Sequence, residues 1–185
     1  MTRKDLPPVE LLRKLLRHDP ETGKLFWRER TPDMFEDKGL GRDVFCKRWN
    51  TRHADKEAFC RISGTGYRRG TIFDADISAH RVIWALHFGQ WPTLVIDHIN
   101  GDGCDNRICN LRLATQSQNM ANTRVPKNNT SGIKGVYWDA RCQKWAVAVE
   151  VGGKSYFGGR FSDKVEAEMV MIDLRKRLHG DFTRY

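Results

Sequence analysis

The segment "VIDHINGDGCDNRICNLRLATQSQN", Val95 to Asn119, restricts this chain more than any other. It places an Asp-His pair and several asparagines around a glycine turn, Gly101 to Gly103, between two apolar stretches. A structural loop needs only one or two such short polar side chains. "TLVID" reads as a strand entering the turn, and "TQSQNMAN" as a short helix leaving it. The order is strand, turn, strand, helix.

Asp97 and His98 stand at the end of the first strand, where alternation points them in opposite directions unless a bend follows. A divalent cation such as Mg²⁺ or Mn²⁺ takes hard oxygen ligands. Asp97 fits as a carboxylate ligand, and Asn119, near the start of the short helix, as an amide ligand. His98, with an unperturbed pKa of about 6.5, suits a general base for a nucleophilic water. Asn110 can hold the loop and fix the His98 ring. On residue chemistry alone a plain structural turn remains open, because "NGDG" is an ordinary turn sequence.

The rest of the chain predicts an α+β protein. "PPVELLRKLLRHD" reads as an amphipathic helix with Val9, Leu12, Leu15 and Leu16 on one face. "DPETG" is a turn and "KLFWRER" a strand. Residues 31–55 show no periodicity and read as a long loop or insertion. "YRRGTIF" is a strand, and "ISAHRVIWALHF" passes from strand to helix, ended by "GQWP". After Asn119, "ANTRVPKNNTSGIKG" reads as a linker. Three β segments follow, "GVYWDA", "KWAVAVEV" and "KSYFGGRF", then a helix with Val165, Met169, Ile172 and Leu178 as its apolar face. This order predicts a three-stranded antiparallel sheet packed on one helix.

A formal net charge of +9 points to a polyanionic partner, double-stranded DNA, because Lys and Arg gain by releasing its condensed counterions. The five cysteines form no CxxC pair, so reduced thiols and a cytoplasmic location are expected. Cys104 and Cys109 are poorly spaced for zinc. No apolar run approaches a bilayer span, and the N-terminus has no uninterrupted apolar core, so neither a membrane anchor nor a secretory signal is expected.

"AHRVIWALHFGQWPTLVIDHINGDGCDNRICNLRLATQSQNMAN" resembles the HNH endonucleases, in the subgroup of phage, prophage and intron-borne homing enzymes. That family runs "HR", "DHINGD", "DNR", "NLR", "SQN", and all five parts are present in order. "DPETGKLFWR" resembles the leader of the same proteins. The resemblance implies a ββα-metal core that hydrolyses DNA phosphodiester bonds with one divalent cation, Mg²⁺ or Mn²⁺. It implies Asp97 and Asn119 as metal ligands, His98 as general base, Asn110 as the brace of the loop, and His80 as a supporting residue. Arg81, Arg107 and Arg112 become candidate DNA contacts. Monomeric action is usual for relatives of this layout, and no protein partner is implied. The alternative is a decayed, catalytically inactive HNH protein that still binds DNA, against which the intact Asp97, His98, Asn110 and Asn119 argue.

"NNTSGIKGVYWDARCQKWAVAVEVGGKSYFGGRFSDKVEAEMVMIDLRKRLHGDF" resembles the DNA-binding domain of plant Apetala2 and ethylene-response factors, in which a three-stranded sheet enters the major groove. Matching positions make Lys134, Tyr137, Arg141, Lys144, Trp145, Lys154 and Arg160 candidate contacts. Trp138 and Trp145 are equally suited to a core. Glu150 departs from the plant pattern, so base specificity does not transfer. The expected divisions are an N-terminal helix and strand region at 1–60, the nuclease core at 61–124, a linker at 125–131 and the Apetala2-like domain at 132–185.

Overall fold

The computed structural model describes residues 6–37, 39, 41–123, 125 and 128–182, and for Asp181 the backbone alone. The first five residues of the expected N-terminal region, Arg124, Pro126 and Lys127 around the expected linker, and residues 183–185 lie outside that set. The protein is a mixed α and β structure with small antiparallel sheets. It divides into two compact units, one of residues 1–98 and 102–113, the other of residues 99–101 and 114–185.

The first unit begins with α1 (Val9–Leu15), entered from Pro8. Val9, Leu12, Leu15 and Leu16 are all buried, as their spacing predicts. Leu16, however, already opens β1 (Leu16–Asp19), which turns back into β2 (Lys24–Trp27). Gly23 closes this hairpin at φ 67°, where a Cβ would collide with the Arg107 backbone nitrogen. Only glycine therefore lets the hairpin lie against the "DNR" loop.

A 3₁₀ turn at Pro32–Met34 leads to α2 (Arg42–His53). This corrects the loop expected over 31–55. Helix α2 lacks an apolar stripe and is held by a few specific contacts. Cys46 is buried, and Trp49 meets Trp27 edge to face at 5.8 Å. Asn50 Nδ2 donates to the Arg30 carbonyl at 2.9 Å, and its Oδ1 accepts from Arg30 N at 3.0 Å. The Arg30 guanidinium lies 3.8 Å from the Trp49 ring centroid.

Strand β3 (Glu57–Ala58) extends the first sheet. Strands β4 (Arg61–Ile62), β5 (Arg68–Ile72) and β6 (Ala75–Ser78) form a second one, and β6 runs directly into α3 (Ala79–Phe88). That helix ends at Gly89 in the left-handed region, φ 74°, as "FGQWP" predicts. Ala79, Val82, Ile83 and Ala85 are buried on its inner side. They join Leu12, Leu15, Leu25, Ile77, Ile96 and Leu111 in one core. Strand β7 (Val95–His98) pairs with β8 (Leu111–Ala114), so Ile96 and Leu111 anchor the two strands carrying the Asp-His pair and "NLR".

The second unit begins with the short helix α4 (Gln116–Ala121), started by a capping box between Thr115 and Gln118. Strands β9 (Val136–Asp139), β10 (Lys144–Val151) and β11 (Lys154–Phe161) form an antiparallel sheet in the order β11-β10-β9, and α5 (Lys164–His179) packs on it. The turn at Gly152 and Gly153 makes the expected hairpin, and Asp163 Oδ1 caps α5 by accepting from Val165 N at 3.0 Å.

The expected inner face of α5 is correct only at Leu178. Val165 and Met169 are each 60% exposed and Ile172 39%, whereas Ala167 and Met171 are buried, with Val170, Leu174 and Leu178 beside them. Helix α5 has two apolar stripes on opposite sides, and periodicity alone does not choose between them. Close approach chooses. A Cβ on Gly158 would lie 2.6 Å from Val147 and 3.1 Å from Leu174. Small residues at Gly158 and Ala167 thus let sheet and helix meet.

Candidate active site

Strand β7 ends in two buried polar residues, Asp97 at 3% and His98 at 4% exposure. Asp97 Oδ2 accepts from Arg112 Nε of β8 at 2.8 Å, so a carboxylate that would be costly to bury alone faces a fixed positive charge. Asn106, within the "DNR" loop, is completely buried, and its Oδ1 lies 3.0 Å from His98 Nε2. With Oδ1 accepting, Nε2 carries the ring proton and Nδ1 keeps the lone pair. The opposite end of that amide, Nδ2, is buried with no hydrogen-bond partner.

The loop carrying Asn106 is braced from inside. Asn110 Nδ2 donates to the Asp105 carbonyl at 2.8 Å. Arg107 grips the Asp105 carboxylate with two bonds, Nε to Oδ1 at 2.8 Å and Nη2 to Oδ2 at 2.6 Å. Cys104 Sγ reaches the Gly66 carbonyl at 3.4 Å. Gly103 lies close over Tyr67, where a Cβ would come 2.8 Å from the ring.

His80, on the first turn of α3, meets the His98 ring edge to face with centroids 5.1 Å apart. Tyr67 completes a three-ring cluster, 5.3 Å from His80 and 5.6 Å from His98. Burial, then the neighbouring His98, Arg81 and Arg69, drive the His80 pKa down to about 3, and its Nδ1 is buried without a partner. Burial also lowers the His98 pKa, opposed by the Asn106 bond and by Asp97, Asp102 and Asp105. Both imidazoles are neutral at pH 7, the state in which His98 can take a proton.

A stability prediction follows from His80. An unfolded histidine titrates near the ordinary 6.5, the folded one near 3. Between these values the unfolded chain holds a proton that the native one lacks. Stability is therefore complete above pH 6.5 and falls as pH drops toward 3, by a ceiling on the order of several kcal/mol. Denaturant melts at pH 7.5 and pH 4.5 should show a larger acid loss for wild type than for His80→Gln. Equal losses would contradict the neutral, buried state of His80.

The first unit thus brings together Asp97, His98, His80 and Arg112, and braces Asn110 and Arg107 in the adjoining loop. Arg81 is half-buried beside His80. Two of the expected DNA contacts, Arg107 and Arg112, are paired with Asp105 and Asp97 in the chain itself. Asn106 and Tyr67 were not singled out from the sequence. Asn106 has the same local signature as a turn asparagine, and Tyr67 stands in an unremarkable strand start.

In the second unit, Asn119 is half-buried on α4. Lys134 closes the C-terminal end of that helix. Its Nζ donates to the carbonyls of Met120 at 2.7 Å, Ala121 at 3.1 Å and Thr123 at 3.0 Å. Burial and the nearby Arg175 lower its pKa to about 8. Arg175, itself buried, donates to the Ala121 carbonyl at 2.9 Å.

The sheet registers Tyr137 against Ala146, and Ala146 against Arg160, so these share the face turned away from α5. Lys144, Tyr137, Arg160 and Lys154 are exposed, as is Arg141 in its turn. Arg160 pairs with Asp139 at 2.7 Å and lies 5.0 Å from the Phe157 ring. Trp145 packs against the α5 core, edge to face with Trp138 at 5.0 Å.

Residues 78–121 match the HNH endonuclease family. Protein 3.8 of Escherichia phage T7 is 36% identical to this chain over 107 residues, which span 57% of the chain and 88% of that protein. No solved structure matches.

Proposed function

The chain belongs to the same family as Protein 3.8 of Escherichia phage T7 and carries an HNH endonuclease domain at residues 78–121, and from that premise we propose that it is a metal-dependent DNA endonuclease of the homing or mobile-element type. The observation that carries this reading is the buried His98, its Nε2 3.0 Å from Asn106 Oδ1, beside the buried carboxylate of Asp97.

His98 Nδ1 takes the proton of a water as its oxygen attacks phosphorus, and the bond to the 3′ oxygen breaks. Asn106 keeps the opposite ring nitrogen protonated, and Asn110 holds the loop that carries Asn106. His80 and Tyr67 confine the imidazole on its other side.

Asp97 and Asn119 would hold the cation, Mg²⁺ or Mn²⁺. Their donors are a carboxylate and an amide oxygen, suited to a hard divalent ion. The Arg112 guanidinium on Asp97 marks a carboxylate already built to face positive charge. Among the described residues no group of three or more His, Cys, Asp or Glu could hold a metal ion. Two protein donors would leave the other positions to water and substrate phosphate oxygens. When bound, such a cation supplies charge stabilisation at the phosphate and the leaving oxygen. A Mn²⁺ titration followed by electron paramagnetic resonance tests the pair. Asp97→Ala and Asn119→Ala should each weaken binding at least tenfold, and unchanged binding in either would remove that residue from the ligand set.

The DNA reading extends to the tail, where Tyr137, Arg141, Lys144, Lys154 and Arg160 form the contact surface of an Apetala2-like domain at 132–185. Trp145 contributes through the core that supports this surface. We assign the nuclease core to 61–124, with 1–60 as its N-terminal support and 125–131 as linker. Among the described residues no helix is long and apolar enough to cross a membrane. The reading places the protein at double-stranded DNA in the host cytoplasm, acting as a monomer.

A further inference from the structure

A second basic site lies in the first unit, outside the Asp97 and His98 cluster. A cavity of about 470 Å³ is lined by Arg13, Arg17, His18, Arg28 and His87, with Leu16, Pro20 and Leu86 as its apolar wall. Among the described residues no carboxylate lines it. We propose that this groove binds a phosphate group, supplied by the backbone of duplex DNA away from the scissile bond.

Three observations carry the assignment. The first is the way the cations are held. Arg28 Nε donates to the Leu16 carbonyl at 3.0 Å, and the Arg17 guanidinium sits 4.6 Å from the Phe26 ring centroid. These bases are positioned on the β1–β2 hairpin, whose register sets Arg17 opposite Phe26 and His18 opposite Leu25.

The second is that Asp19, next to His18 in the chain, is hydrogen-bonded within its own turn, although its charge also acts on Arg17 and His18. Asp19 accepts Thr22 Oγ1 at 2.7 Å and Glu21 N at 3.1 Å within its own turn. Among the described residues no ion pair joins Arg13, Arg17 or Arg28 to a carboxylate. The third is an orphan: His18 Nε2 is buried without a hydrogen-bond partner.

Favourable charge at helix ends explains part of the cluster. Arg13 lies in the last turn of α1 and His87 in the last turn of α3. It does not explain Arg17, His18 and Arg28, which belong to the hairpin. The Arg13, Arg17 and Arg28 guanidinium groups around one cavity repel one another, and an anion there removes that cost. Arginine forks match phosphate oxygens, and an imidazole N–H adds a further donor.

The test uses the full chain in EDTA, so that binding is read without cleavage. Duplex binding is followed by anisotropy across a salt series, and the His18 ring by NMR. The double variant Arg17→Gln/Arg28→Gln should lower the slope of log affinity against log salt by about 2, since each lost phosphate contact removes about 0.9. Arg13→Gln/Arg17→Gln, which leaves the Arg28 bond to Leu16 in place, should lower it by a similar amount. The His18 signals should move on adding duplex. If inorganic phosphate moves them equally, the groove is a phosphate site whose source is free phosphate. If neither moves them, or both variants fold and keep the wild-type slope, the assignment is overturned. Cleavage with metal is scored separately, so a chain that binds through this groove yet never cuts sinks the nuclease reading alone.

Discussion

His98→Ala should abolish metal-dependent cleavage, lowering the rate by about 10²–10⁴-fold, the range for a lost general base. Duplex affinity should stay within a few-fold of wild type, because a neutral imidazole adds no phosphate charge. Asn106→Ala should act in the same direction but less severely. It releases the ring to either tautomer and removes the buried partner of His98 Nε2, which lies 3.0 Å from Asn106 Oδ1. Because burial lowers the His98 pKa, the acid limb of the rate profile should fall below pH 6.5 in wild type. Single-turnover rates on a supercoiled plasmid measure both effects. A His98→Ala protein as active as wild type would remove the base assignment.

Truncation after Val125 should affect more than DNA binding. The tail supplies Lys144, Lys154, Arg141 and Arg160, so the salt slope of binding should drop by up to about 3–4. It also supplies Lys134 and Arg175, whose charged donors close the end of α4 at Met120, Ala121 and Thr123. A helix of six residues does not persist alone in water. Asn119 rides on that helix, so truncation should also reduce cleavage by more than tenfold. Lys144→Gln/Arg160→Gln separates the two roles. It should flatten the salt slope by about 2 and leave Mn²⁺ affinity unchanged. A truncated chain that cleaves at the wild-type rate on saturating DNA would show that α4 does not need the tail.

The candidate site was partly legible in the sequence. Asp97 and His98 stand out because they fall in "DHINGD" of the family pattern they resemble, and "NLR" marks Asn110. Asn106 was not legible as the partner of His98. An asparagine in a glycine-rich loop reads as a turn former whether it faces solvent or a ring. Arg112 carried a similar ambiguity, since an arginine bound to phosphate and one bound to a buried carboxylate have the same local sequence.

The fold followed the same division. Helix α3 and the hairpins carry periodicity and turn residues, and both were readable. Helix α2 was hidden because its stability rests on Cys46, Trp49 and Asn50 rather than on a stripe. On α5 the pattern offered two faces, and the choice depended on Gly158 and Ala167, whose small size is informative only once the sheet is in place. The α1 pattern ran on through Leu16 because a residue buried at a strand start satisfies the helical spacing equally well.

The central claim is metal-dependent DNA cleavage, and its most direct test is the wild-type chain on supercoiled plasmid with Mg²⁺ or Mn²⁺ against EDTA. The expected result is nicked or linear product with either metal and none in EDTA. Intact plasmid under both metals, from a folded chain that still binds the DNA, would contradict the claim and favour the alternative of an inactive HNH-derived DNA-binding protein.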